Sequence, residues 1–149
     1  MSAPVQQLLD SKGHDVETIL TTDSVYDALR IMDEKRIGCL IVMTKTGTVS
    51  GIISERDCVH KAAIPDMNLH EMQVRKVMTG KRKLITVTAS TPVDECRSLM
   101  TEKHVRHLPV MTKTGKLTGI VSIGDVVKHM GAERDLLIKN LEYYISGSL

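Results

Sequence analysis

Met43-Thr44-Lys45-Thr46-Gly47, followed by Gly51-Ile52-Ile53-Ser54-Glu55-Arg56-Asp57, returns in the same order as Met111-Thr112-Lys113-Thr114-Gly115, followed by Gly119-Ile120-Val121-Ser122-Ile123-Gly124-Asp125. Gly51 and Gly119, Ser54 and Ser122, and Asp57 and Asp125 are each 68 positions apart. A unit duplicated in constant register, too short to close a core alone, packs against its copy. The repeat therefore predicts a two-lobed body with pseudo-twofold symmetry, and a cleft between the lobes as the place to look for function.

Working outward from the quoted stretch, Cys39 to Met43 is a continuous apolar run suited to a strand covered on both faces. Lys45-Thr46-Gly47-Thr48 is a polar turn, and Val49 to Ile53 is the returning strand of a hairpin. Ahead of it, Asp23 or Ser24 caps a predicted helix to about Arg36, with Val25, Ala28, Leu29, Ile31 and Met32 towards the core. A short β-type stretch, Glu17 to Thr21, precedes that helix, and Ser54 opens another. The second copy predicts the same series: a β stretch at Leu84 to Thr88, a helix from Pro92 to about His104, strands at Leu108 to Met111 and Leu117 to Val121, and a helix from Ser122 to about Met130. The expected fold class is α+β, two β-α-β-β-α units with helices covering the sheets. The units span 12–64 and 74–132, with flanking helices at 4–11 and 132–146 and a packed linker from Ala62 to Gly80. Leu137, Leu141, Tyr144 and Ile145 form one stripe on the last helix, which either covers the core or meets a second subunit.

Composition narrows the function classes. Net charge is +2 with both signs interspersed, so no large field steers the chain to nucleic acid or anionic lipid. With no Trp, no Phe and three Tyr, it has no platform for stacking several bases. Nine Met fill irregular core space without fixing one geometry, which suits lobes that shift. Three cysteines, Cys39, Cys58 and Cys96, show no paired spacing and read as reduced core thiols. The N-terminal residues carry no signal or transit pattern and no apolar run approaches a membrane span, so the expected location is cytoplasmic, or an organelle matrix after removal of a targeting segment.

The hairpin with its following Ser-x-x-Asp, together with Arg106-His107-Leu108-Pro109-Val110 and Val77-Met78-Thr79, resembles the cystathionine β-synthase (CBS) domain over about residues 12 to 130. Two copies in tandem resemble a Bateman module. The resemblance implies a regulatory unit that binds adenine nucleotides or related adenosyl ligands between its domains, with no catalytic cofactor. It also implies a homodimer and an effector protein that reads the bound state.

Ser-x-x-Asp after a strand reads first as a capping box, in which Ser54 and Asp57, or Ser122 and Asp125, satisfy free amides at a helix start. The functional reading adds that an Asp carboxylate there repels phosphate yet accepts both hydroxyls of a ribose, while the Ser hydroxyl and nearby cations take phosphate. The resemblance favours the second reading. It also implies that Ile37, Gly38 and Cys39 flank the adenine, Asp57 holds the ribose, Ser54, Arg56, Arg106 and His107 ring the phosphate, and Lys12 and Gly13 line the adenine side. The mirror cleft has Ser122 and Asp125, but it meets Gly38 and Cys39 where Arg106 and His107 stand in the other copy. Basic side chains favour AMP, ADP, ATP or NAD(H) over S-adenosylmethionine.

Other classes weigh less. His104 and His107 form an H-x-x-H pair without a carboxylate or thiol cluster to complete a metal site. The basic run Gly80-Lys81-Arg82-Lys83 reads as a solvated loop. No cysteine has the neighbours of a nucleophile, so an enzyme is not expected. The competing reading is a ligand-free interaction scaffold whose Ser-x-x-Asp motifs are only caps.

Overall fold

A computed structural model describes residues 2–146, the side chains of Tyr144 and Ser146 excepted. In chain order the elements are α1 (Val5–Lys12), β1 (Thr18–Leu20), α2 (Val25–Lys35), β2 (Cys39–Met43), β3 (Val49–Ser54), α3 (Glu55–Cys58), β4 (Thr79–Gly80), α4 (Val93–Lys103), β5 (His107–Met111), β6 (Leu117–Ser122) and α5 (Ile123–Ser146). A π-helical turn, Val59–Ala63, prolongs α3 and buries Ala62.

The apolar run of β2 is buried at four successive residues, whereas β3 alternates buried and half-buried positions. Order in the larger sheet is β1-β2-β3-β4, with β1 parallel to β2 and the remaining pairs antiparallel. The smaller sheet is the hairpin β5-β6. Repeat symmetry survives in detail. Cys39 pairs with Ser54 as His107 pairs with Ser122, and each hairpin shifts register at the same place, Val42/Met43 and Val110/Met111. Helices α2 and α4 both end on a left-handed residue, Arg36 (φ 54°) and His104 (φ 56°).

Two expectations are corrected. Leu84 to Thr88 does not form a strand but makes a single parallel bridge, Val87 to Val110. The reason lies 68 positions after Ile41: the Ile41 amide donates to the Glu17 carbonyl at 3.1 Å, whereas Pro109 has no N–H to give. Secondly, the two helices expected at 122–130 and 132–146 are one, α5, running through Gly131. A glycine in a helix costs only about 1 kcal/mol, which the helix-forming Ala132, Glu133, Leu136 and Leu137 beyond it outweigh. The apolar stripe on α5 does not cover the core, since Leu137, Leu141 and Ile145 are 59%, 51% and 86% exposed; Tyr144 lies outside the described side chains.

The flanking segments are crossed between the two units. Helix α1 leads into the first unit but is buried in the second, where Val5, Leu8 and Leu9 join Val87, Val93, Cys96, Leu108, Val110 and Val121 in one core. The Val5 and Gln6 amides donate to the Thr91 and Ala89 carbonyls at 2.8 Å. Conversely, the linker before the second unit is buried in the first. Val74 and Val77 pack with Val25, Ala28, Leu40, Val42 and Ile53, and β4 pairs with β3. An eight-residue helix is unstable in isolation, and burial of three apolar side chains at about 2 kcal/mol each holds it in place. Among the described residues no helix is long and apolar enough to cross a membrane.

Candidate functional site

At the end of each hairpin the strand turns into a helix through a complete capping box. Ser54 Oγ accepts from the Asp57 amide at 3.1 Å, and Asp57 Oδ2 accepts from the Ser54 amide at 3.1 Å. Ser122 and Asp125 do the same at 3.1 Å and 2.8 Å. Capping leaves functional groups over. Each Ser hydroxyl, having accepted from an amide, keeps its proton to donate, and each Asp keeps a second carboxylate oxygen. Asp57 Oδ1 lies 3.2 Å from Lys61 Nζ.

Two cavities open where these motifs face the other unit. The first, about 640 Å³, combines Ile52, Ser54, Glu55, Arg56 and Asp57 with Thr79, Lys83, Leu84, Ile85, His104, Val105, Arg106 and His107, and touches Gly38. The second, about 350 Å³, combines Ile120, Ser122 and Asp125 with Lys12, Asp15, Val16, Glu17, Arg36, Ile37, Gly38, Cys39 and His107. Both volumes fall in the range that holds small ligands. The repeat offset relates the two linings: Asp15-Val16-Glu17 answers to Lys83-Leu84-Ile85, and Ile37-Gly38-Cys39 to Val105-Arg106-His107. Every cleft thus takes its Ser-x-x-Asp from one unit and its lead-in segment and hairpin strand from the other.

That exchange relocates some expected site residues. Gly38, Ser54, Arg56, Asp57, Arg106 and His107 meet at the first cleft. Ile37, Cys39 and Lys12, expected beside an adenine above Asp57, line the second cleft with Ser122 and Asp125, because strand β2 faces the opposite unit's motif. Gly13 lines neither; at φ 103° it caps α1, its amide donating to the Leu9 carbonyl at 2.7 Å. Lys83, Leu84, Ile85 and Val105 were not among the expected residues. Applying the 68-residue offset to Asp15-Val16-Glu17 and Ile37 would have found them; Lys83 borders the cleft while remaining exposed, as Lys81 and Arg82 are.

Charge separates the clefts. Arg56, Lys83 and Arg106 give the first a cationic wall around Asp57, with Glu55 opposing them. The second carries Asp15, Glu17 and Asp125 against two cations, Lys12 and Arg36. His107 borders both, and burial holds its imidazole below the ordinary 6.5; Asp125 opposes that, while Lys12 and Arg106 reinforce it. At neutral pH it is therefore an uncharged hydrogen-bonding group. Gly38 lets the lobes approach, since a Cβ there would lie 3.3 Å from Glu55 Oε1 and 3.4 Å from His107 Cε1.

Burial pushes Asp125 up, but the Lys12 ammonium at 2.6 Å and the Ser122 amide outweigh it and hold the carboxyl below its usual range. Burial also lifts the thiols, Cys39 to about 12 and Cys58 and Cys96 to about 11. Among the described residues no group of three or more His, Cys, Asp or Glu side chains could hold a metal ion.

Comparison with known proteins converges on one family. The model of the CBS domain matches residues 11–63 and 74–132. The CBS domain-containing protein CBSX3, mitochondrial, of Arabidopsis thaliana is 36% identical over 153 residues, covering 98% of this chain and 73% of the relative. A protein with CBS domains from Burkholderia ambifaria superposes with TM-score 0.81 at 39% identity, over 87% of this chain and 95% of that one. The fold is shared, at 22% identity and TM-score 0.73 over 83% of this chain and 89% of that one, by the CBS domain protein PAE2072 of Pyrobaculum aerophilum, which is complexed with AMP.

Proposed function

Because this chain belongs to the CBS-domain family, with two copies in tandem, we propose that it is a regulatory module that binds a phosphorylated adenine nucleotide in the first cleft and signals its occupancy to a partner protein. The observation that carries the reading is the gathering of Arg56, Lys83 and Arg106 in one cleft with Asp57, whose Oδ1 is left over by the cap and meets only Lys61, an exchangeable partner outside the cleft lining. In this assignment Asp57 accepts the ribose hydroxyls and the Ser54 hydroxyl donates to phosphate. Arg56, Lys83 and Arg106 neutralise the phosphate, and Leu84, Ile85 and Val105 supply the apolar side of the base. AMP, ADP, ATP and NAD(H) all satisfy these groups. The AMP complex of the Pyrobaculum protein, which shares the fold, supports this ligand class. The raised thiols favour a binding module over a cysteine-dependent enzyme.

The lobes exchange α1 and the linker, so a ligand that bridges them acts on both cores. Switching needs different affinity for two lobe arrangements, and cations and carboxylate contributed by opposite units supply a contact sensitive to their spacing. The exposed Leu137 and Leu141 on α5 favour a homodimer through that helix, measurable as mass by light scattering.

The test is thermal unfolding with AMP, ADP, ATP, NAD, NADH, S-adenosylmethionine and GTP. A ligand at 100 times its dissociation constant adds about 2.7 kcal/mol, a rise of roughly 5–10 °C at this chain length. The shift is expected with adenine nucleotides and not GTP, and is lost in Asp57→Asn, whose amide oxygen still caps. The complete capping boxes favour a second reading, the ligand-free scaffold, and absence of any shift would select it.

A further inference from the structure

Lys12 ends α1 and its side chain enters the second cleft. Its ammonium donates to the Ile120 carbonyl at 2.9 Å and to Asp125 Oδ2 at 2.6 Å, the oxygen that also accepts the Ser122 amide. Both side chains are sheltered, 30% and 21% exposed, so water screens the pair less than it does a surface pair. Lys12 is also fixed at its base, because Val5, Leu8 and Leu9 anchor α1 in the same unit that supplies Asp125.

The first cleft has no such plug. Gly80 stands 68 positions after Lys12 and has no side chain to offer. The lysine that does meet Asp57, Lys61, lies four residues along the same helical segment at 3.2 Å and is not part of the cavity wall. One carboxylate is thus contacted from outside its cavity and the other from within.

We propose that Lys12 is a built-in stopper of the second cleft: its side chain lines the cavity and its ammonium sits on the carboxylate that a nucleoside ribose would need, so that site opens to adenosine-type ligands only when Lys12 is displaced. This rests on the reading above that a Ser-x-x-Asp carboxylate accepts ribose. With Lys12 displaced, Asp15, Glu17 and Asp125 outnumber Arg36 in the lining, which favours nucleosides without phosphate. Lys12 is also the last helical residue before the chain crosses to β1 in the other unit. A ligand that displaces it therefore acts on the crossover itself.

The test is equilibrium titration with adenosine in an Asp57→Asn background, where the first cleft is disabled. No adenosine site is expected with Lys12 present. Adding Lys12→Met, or Lys12→Gln as the polar substitute if the first variant folds poorly, should create a site at least about tenfold tighter, equivalent to 1.4 kcal/mol, which Asp125→Asn then abolishes. Adenosine binding in Asp57→Asn alone that Asp125→Asn removes overturns the proposal, as does failure of both Lys12 variants to bind. AMP titration of the unaltered chain reports separately on the first cleft. A chain that ignores AMP yet gains an Asp125-dependent adenosine site on loss of Lys12 refutes the nucleotide assignment there and supports the stopper.

Discussion

Gly51 in β3 and Thr79 in β4 meet backbone to backbone, and a Cβ on Gly51 would overlap the Thr79 carbonyl oxygen. Gly119, the repeat partner of Gly51, faces something softer: its Cβ would lie 2.8 Å from a terminal methyl of Leu9. Gly51→Ala is therefore expected to cost about 3 kcal/mol and Gly119→Ala about 1 kcal/mol, because a leucine rotates and a paired strand does not. Urea unfolding of the two variants checks the order, and equal losses would show that β4 yields as readily as Leu9.

Stability should also fall on mild acidification, through His107. Its folded value lies below 6.5, so in the window between them the unfolded chain binds a proton that the folded chain refuses. The folded state loses ground as pH drops through that window. Asp125 acts lower down: its stabilisation is present above 3.8 and is lost as pH falls through its depressed folded value. Unfolding free energies between about pH 7.5 and pH 5 should slope less in His107→Gln than in the parent; parallel slopes would remove His107 from the account.

Thiol chemistry gives a third prediction. With all three cysteines buried and their thiols pushed up to about 11 or 12, a disulfide reagent at neutral pH should label the folded chain slowly and the denatured chain at three sites. Rapid stoichiometric labelling of Cys39 in the native protein would mean that the second cleft opens far more often than its packing implies.

The two serines should separate structure from binding. Ser54→Ala and Ser122→Ala each remove one cap bond, at a cost of about 1 kcal/mol. Only Ser54→Ala should weaken AMP in addition, since the first cleft alone gathers Arg56, Lys83 and Arg106. Equal AMP affinity in both variants, by isothermal titration, would assign these serines to capping only.

The hairpins and their helices were legible because each carries its own signal: an apolar run, a glycine turn, then Ser-x-x-Asp. Partner choice was not. Val5, Leu8 and Leu9 mark a buried face on α1, but periodicity does not say which unit covers it. The same limit put Ile37 beside Asp57 and not beside Asp125, since the exchange between units is a property of packing. Failure of Leu84 to Thr88 to form a strand was written at Pro109, whose missing donor is plain once the sheet partner is known.

The crossed placement of α1 and the linker bears on ancestry. A chain with one copy of the unit would have a leading arm and no second core of its own to receive it. Its simplest stable form is two such chains trading arms, each completing the other. Duplication within a single gene then turns a pair of separate molecules into one covalent chain, free to let its two halves diverge. Lys12 and Gly80, alike in position and unlike in chemistry, are what that freedom produces.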